Sequence, residues 1–126
     1  MKVLIDSSVW IDYFKSGDRS SGLDYLIDNN LIFTNELVLT ELVPFLRLQH
    51  QKSLIELLNH IARLPLSIDW QQIQEFQLAC LKAGINGIGI PDLIIAQNAI
   101  HNGSLIYSLD NHFKLMQEIL NLELYQ

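Results

Sequence analysis

A chain of 126 residues with 49% hydrophobic content and a single cysteine fits one domain, residues 1–126, that builds its core without disulfides in a reducing cytoplasm. Its formal net charge of -6 argues against holding nucleic acid by bulk electrostatics, unless several of its 14 acids bind divalent cations. No apolar run nears the ~20 residues that span a bilayer, and a start with Asp6 after only three apolar residues does not read as a signal peptide.

Lys2–Ile5 is a short apolar run with β-branched Val3 and Ile5, and it reads as a buried strand. Asp6, Ser7 and Ser8 offer N-caps for a helix over about Val9–Phe14. Ser16–Gly22 reads as a loop, Leu23–Asn29 as a helix and Leu31–Thr34 as a second strand. Asn35 can cap a helix over Glu36–Leu48, which Pro44 should kink or end. Gln51–Arg63 carries Leu54, Leu57, Leu58 and Ile61 at helical spacing. Leu64–Ile68 contains Pro65 and reads as a weak edge strand.

Asp69 can cap a helix to about Lys82, which Gly84 stops. Ile85–Ile90 is a glycine-punctuated loop. Pro91 suits the first position of a helix that ends near Asn102-Gly103. Leu105–Leu109 is a strand, Asn111–Leu120 a helix and Leu122–Leu124 a last edge strand. Strands recur between helical stretches without tight hairpin signals. The order predicts an α/β domain, helices on both sides of a mostly parallel sheet of four to five short strands.

Four acids stand out. Asp6 follows the first strand, where it reads equally as an N-cap or as a ligand at a strand C-terminus, the edge at which open α/β sheets bind. Asp92 lies at the second position of its helix, where the helix dipole alone favours an acid. Its helical neighbours Ile95, Ala96 and Ala99 are apolar, and Gln97, Asn98 and His101 lie on other faces. That sets Asp92 along the apolar side rather than with the solvated stripe. Asp110 follows the strand Leu105–Leu109 and reads either as the N-cap of the final helix or as a counterpart of Asp6. Glu41 lies mid-helix with Leu37, Val38, Pro44 and Phe45 three and four residues away, so no local Lys or Arg balances it. A buried carboxylate in such surroundings is costly and needs a reason. Carboxylates gathered in one pocket repel unless a cation sits among them. A set of oxygens without Cys or His suits Mg²⁺ or Mn²⁺ rather than Zn²⁺.

These residues resemble the PIN domain family, and more narrowly the VapC-like toxin ribonucleases of bacterial type II toxin–antitoxin pairs. The matching pieces are VLIDSSVWIDYF, LVLTEL, IPDLIIAQNAI and LIYSLDNHF, in the family's order over essentially the whole chain. The resemblance implies that Asp6, Glu41, Asp92 and Asp110 are the catalytic acids, with Asp6 and Asp92 as principal metal ligands. It sets Ser8 and Ser108 beside them as residues that orient carboxylates or water. It further implies a divalent-cation endoribonuclease leaving 5′-phosphate and 3′-hydroxyl ends, a homodimer, and an antitoxin that occupies the active-site groove.

Other features carry less. His50, His60, His101 and His112 share no metal-ligand spacing, and His112, although near Asp110, reads as a helix-start residue. Trp10 and Tyr13 read as core or interface rather than base-stacking residues. The glycines at 84, 87 and 89 lack the Lys and Ser/Thr of a P-loop. A phospho-acceptor receiver domain would need a lysine where Tyr107–Asp110 stands. A PIN-type nuclease acting on DNA and a PIN-fold binding module without activity are the remaining alternatives.

Overall fold

A computed structural model describes residues 1–126 as three strands and seven helices. The first strand, β1 (Val3–Ile5), is buried at every residue. Successive side chains of a strand point to opposite faces, so both faces of the sheet are covered. β1 is the centre of a sheet ordered β2-β1-β3, with β2 at Ile32–Phe33 and β3 at Leu105–Tyr107. Both pairings are parallel, with Val3 opposite Ile32 on one side and Leu105 on the other.

Between β1 and β2 lie α1 (Ser7–Lys15) and α2 (Gly22–Asp28). Between β2 and β3 lie α3 (Glu36–Leu48), α4 (Lys52–Asn59), α5 (Trp70–Lys82) and α6 (Ile90–His101), and α7 (Asn111–Leu120) follows β3. The first crossover runs from β1 to one neighbour and the second passes back over β1 to the other. Right-handed connections of opposite direction put their helices on opposite faces, which gives the expected α/β/α layering. α3 packs on α1, α4 and α6, and α5 packs on α6 and α7. No helix is long and apolar enough to cross a membrane.

The expected edge strands shrink to single bridges, so the sheet has three strands rather than four or five. Arg63 bridges Thr34 through Thr34 N–H to Ala62 O at 2.9 Å and Leu64 N–H to Thr34 O at 2.8 Å. Pro65 follows and has no N–H to extend the ladder. At the other edge only Leu124 bridges Ile106. α4 also ends at Asn59, short of Arg63, because Ile61 turns into the core and residues 62–64 take up that bridge.

Asn35 and Asp69 cap α3 and α5 as expected, accepting from Val38 N–H at 2.8 Å and Gln72 N–H at 3.1 Å. α3 runs through Pro44 to Leu48 rather than ending at it, held by buried Val38, Leu39, Leu42 and Leu46 on its inner face. Pro44 itself is exposed. An interior proline forfeits one helical hydrogen bond and crowds the preceding turn. Pro44→Ala is therefore expected to raise stability by about 1–3 kcal/mol, measured as a rise in the urea midpoint at unchanged slope. A lower midpoint would mean that the ring makes contacts worth more than the missing bond. Trp10 is fully buried against Phe14, with ring centroids 5.6 Å apart, so it belongs to the core. Cys80 is buried and unpaired, and burial raises its pKa, as for an inert thiol.

Candidate metal centre

β1 is where the direction of the connections reverses. The crevice outside the carboxyl ends of strands at such a point is where open α/β sheets bind ligands. Asp6 is the first residue beyond β1, and Ser108 the first beyond β3. The backbone joins them, with Asp6 N–H donating to Tyr107 O at 2.9 Å.

Asp6 occupies the N-cap position of α1, yet its side chain caps nothing. It is 4% exposed. Ser8 and Ser108 both donate their hydroxyls to the same oxygen, Oδ2, at 2.7 and 2.8 Å. Each serine Oγ in turn accepts a backbone N–H, Ser8 from Leu109 at 3.0 Å and Ser108 from Asp110 at 2.9 Å. Those donors aim both hydroxyl protons at Asp6. The carboxylate is thus fixed in direction through one oxygen, and no hydrogen bond reaches the other.

Asp92 is the third residue of α6, after Pro91, and its side chain is 21% exposed. Burial pushes its pKa up; the His112 hydrogen bond opposes this, and the charges of Asp110 and Asp6 add to it. Asp110 is the N-cap of α7, accepting from His112 N–H at 2.9 Å. The ring Nδ1 of His112 lies 3.3 Å from Asp92 Oδ2 and 3.5 Å from Asp110 Oδ1. One donor atom each from Asp92, Asp110 and His112 fall within 4.8 Å of one another. Asp6 and Glu41 lie outside that group. Glu41 nevertheless shares its field: partial burial, then the charges of Asp6 and Asp92, raise its pKa.

No lysine or arginine pairs with any of these four acids; the only such bridge in the chain is Arg63 to Glu36. Carboxylates gathered without a cationic partner, their charges pushing up the pKa of Glu41 and Asp92, are a donor set suited to a divalent cation. The residues present therefore fit a metal.

The PIN domain family matches residues 3–119. The chain belongs to the PIN domain family. PIN domains are generally nucleases, and an acidic cluster of this kind is consistent with that chemistry. No curated protein matches this PIN domain in sequence. Its fold is shared with solved structures. A chain of VapBC2 from Rickettsia felis, bound to a DNA fragment from their promoter, superposes with a TM-score of 0.77 at 22% identity, covering 99% of this chain and 98% of that one. VapBC-1 from nontypeable Haemophilus influenzae gives 0.77 at 19% identity, covering 100% and 98%. DNA-bound VapBC from Salmonella typhimurium gives 0.76 at 13% identity, covering 99% and 97%.

Three details of this PIN domain differ from the expectation. Glu41 is exposed as a residue rather than fully buried, although its carboxyl is partly desolvated. Its neighbours Pro44 and Phe45 are exposed too, so an apolar helical flank did not mean an interior position. Gln97 and Asn98 are 1% and 3% exposed and form no solvated stripe. Gln97 holds the Asp69 backbone, accepting from its N–H at 3.1 Å and donating to its carbonyl at 3.0 Å. Asn98 accepts from Asn35 Nδ2 at 2.9 Å and donates to Pro65 O at 2.8 Å. The helix that presents Asp92 is thus bound to the N-terminus of the helix that presents Glu41. Third, the ring of His112 stands among the acids, beyond the helix-start role of its backbone. The one sequence signal was its place two residues after Asp110.

Proposed function

We propose that residues 1–126 form a divalent-cation-dependent endoribonuclease, the toxin of a VapBC-type toxin–antitoxin pair. The carrying observation is the set of four acids, Asp6, Glu41, Asp92 and Asp110, sharing one field at the carboxyl ends of β1 and β3 with no lysine or arginine against them. The PIN family match and the folds shared with VapBC chains support the reading.

In this reading Asp6 and Asp92 are the principal ligands of Mg²⁺ or Mn²⁺, and Glu41 and Asp110 complete the set directly or through water. Bound there, the cation would activate a water, neutralise phosphate oxygens and stabilise the leaving oxygen. Ser8 and Ser108 hold Asp6 by one oxygen and leave the other for the cation. Such outer hydrogen bonds orient a ligand and tune its basicity. Glu41 is open to solvent, so in this reading it would meet the cation from the outer side of the set. The products would carry 5′-phosphates and 3′-hydroxyls. A homodimer, a cytoplasmic location and an antitoxin lying across the acidic groove complete the proposal.

The test is a panel of structured RNAs and tRNAs, with single-stranded DNA in parallel, incubated with the purified chain and Mg²⁺. The expected result is cleavage of RNA and not DNA, with 5′-phosphate ends by ligation mapping. Cleavage of DNA alone would transfer the site to a DNA nuclease, and no cleavage of either would leave a binding module. Expression alone is expected to slow growth, with relief by a small protein encoded next to it. Unslowed growth would contradict the toxin role.

A further inference from the structure

Among the side chains around the acidic crevice, His112 is the one to which the proposed chemistry assigns no task. Its backbone N–H already satisfies Asp110, so capping does not require its ring. The ring is nevertheless turned inward, and its Nδ1 faces carboxylate oxygens from two helices, Asp92 on α6 and Asp110 before α7. Oxygen, oxygen and nitrogen lie within 4.8 Å of one another. Ligands of one small divalent ion with bonds of roughly 2.1 Å are at most about 4.2 Å apart, so a slight closure of these side chains brings all three onto one ion. Ser8 and Ser108 spend their hydroxyls on Asp6, and neither reaches the imidazole.

We propose that His112 Nδ1 is itself a ligand of the divalent cation, together with Asp92 and Asp110, and that it biases the site towards Mn²⁺ over Mg²⁺. This rests on the metal-nuclease reading above. A magnesium ion is hard, takes oxygen ligands and dehydrates reluctantly. An imidazole nitrogen among carboxylates favours a first-row transition ion. Of the ions suited to carboxylate-rich sites, Mn²⁺ gains most from the exchange of one oxygen for nitrogen.

The experiment is pulsed electron paramagnetic resonance of Mn²⁺ bound to the full chain, with calorimetry of Mn²⁺ and Mg²⁺ binding, for the wild type and His112→Gln. Growth on histidine labelled with ¹⁵N in the imidazole ring alone separates ring nitrogen from backbone nitrogen. The expected result is a histidine-nitrogen coupling in the wild type that is lost in His112→Gln, with Mn²⁺ at least about tenfold tighter than Mg²⁺ and that ratio reduced about tenfold in the variant. Mn²⁺ bound without histidine-nitrogen coupling would overturn the His112 assignment and leave the nuclease reading standing. Coupling that persists in His112→Gln would overturn it as well, since another histidine would be the ligand. A wild type that binds neither ion would overturn both. The wild-type spectrum alone decides the matter if the variant does not fold.

Discussion

Asp92→Asn is expected to abolish cleavage and to stabilise the metal-free protein at the same time. Loss of a principal ligand should lower the single-turnover rate by about a thousandfold, or roughly 4 kcal/mol of barrier. The stability effect has the opposite sign. Burial raises the folded-state pKa of Asp92 despite the His112 hydrogen bond, and the charges of Asp110 and Asp6 add to the rise. The folded chain therefore holds this proton more tightly than the unfolded chain does. The associated stability is fully present below the ordinary aspartate pKa and is lost as pH rises through the raised value. At neutral pH the ionised group is a burden that asparagine removes, while its amide oxygen can still accept from His112. Without metal at pH 7, Tm should rise by roughly 2–5 °C. The gain should shrink on acidification as Asp92 takes up its proton, and added Mg²⁺ should stabilise the wild type but not the variant. A lower Tm for metal-free Asp92→Asn at pH 7 would mean that the acid contributes to the fold instead of straining it.

Asn98→Ala is expected to be the most destabilising of the polar substitutions. The residue is 3% exposed, and its amide serves Asn35 Nδ2 and Pro65 O together. Alanine leaves Asn35 Nδ2 without a partner and Pro65 O with only the 3.4 Å contact from Asn102. A buried donor or acceptor left unpaired costs about 1–3 kcal/mol. With two affected, the expected loss is about 2–4 kcal/mol and the fall in Tm roughly 10 °C. Asn98→Leu, close in volume but without the amide, should not recover it. Urea unfolding at constant slope measures the loss, and a change below about 0.5 kcal/mol would show that water satisfies these groups.

These two sites show where the sequence was legible and where it was not. Asp6, Asp92 and Asp110 could be located because strand ends and helix starts leave local signals, a β-branched run, a proline, a capping pattern. The same signals could not separate a cap from a ligand. Asp6 and Asp110 hold equivalent positions, yet Asp110 caps its helix and Asp6 does not. The difference lies in two serines a hundred residues apart that converge on Asp6. The burial of Asn98 is hidden from the sequence for a related reason. Helical periodicity separates an apolar face from a wet one only when a wet face exists, and α6 is buried continuously from Leu93 to Ala99. Its polar residues are satisfied by partners 28 and 63 residues away, which no local pattern reports. Glu41 shows the converse. Its apolar neighbours suggested an interior, but of these only Val38 is buried while Pro44 and Phe45 face solvent, and it is the influence of the Asp6 and Asp92 charges on its carboxyl that ties it to the other acids.

The most direct measurement is single-turnover cleavage of a labelled RNA substrate by the wild type and by Asp6→Asn, each in Mg²⁺ and in excess chelator. The predicted result is cleavage by the wild type in Mg²⁺ only, with Asp6→Asn folded but slower by about a thousandfold. Cleavage that survives the chelator, or a wild-type rate for Asp6→Asn, would contradict a carboxylate-held cation as the seat of the chemistry.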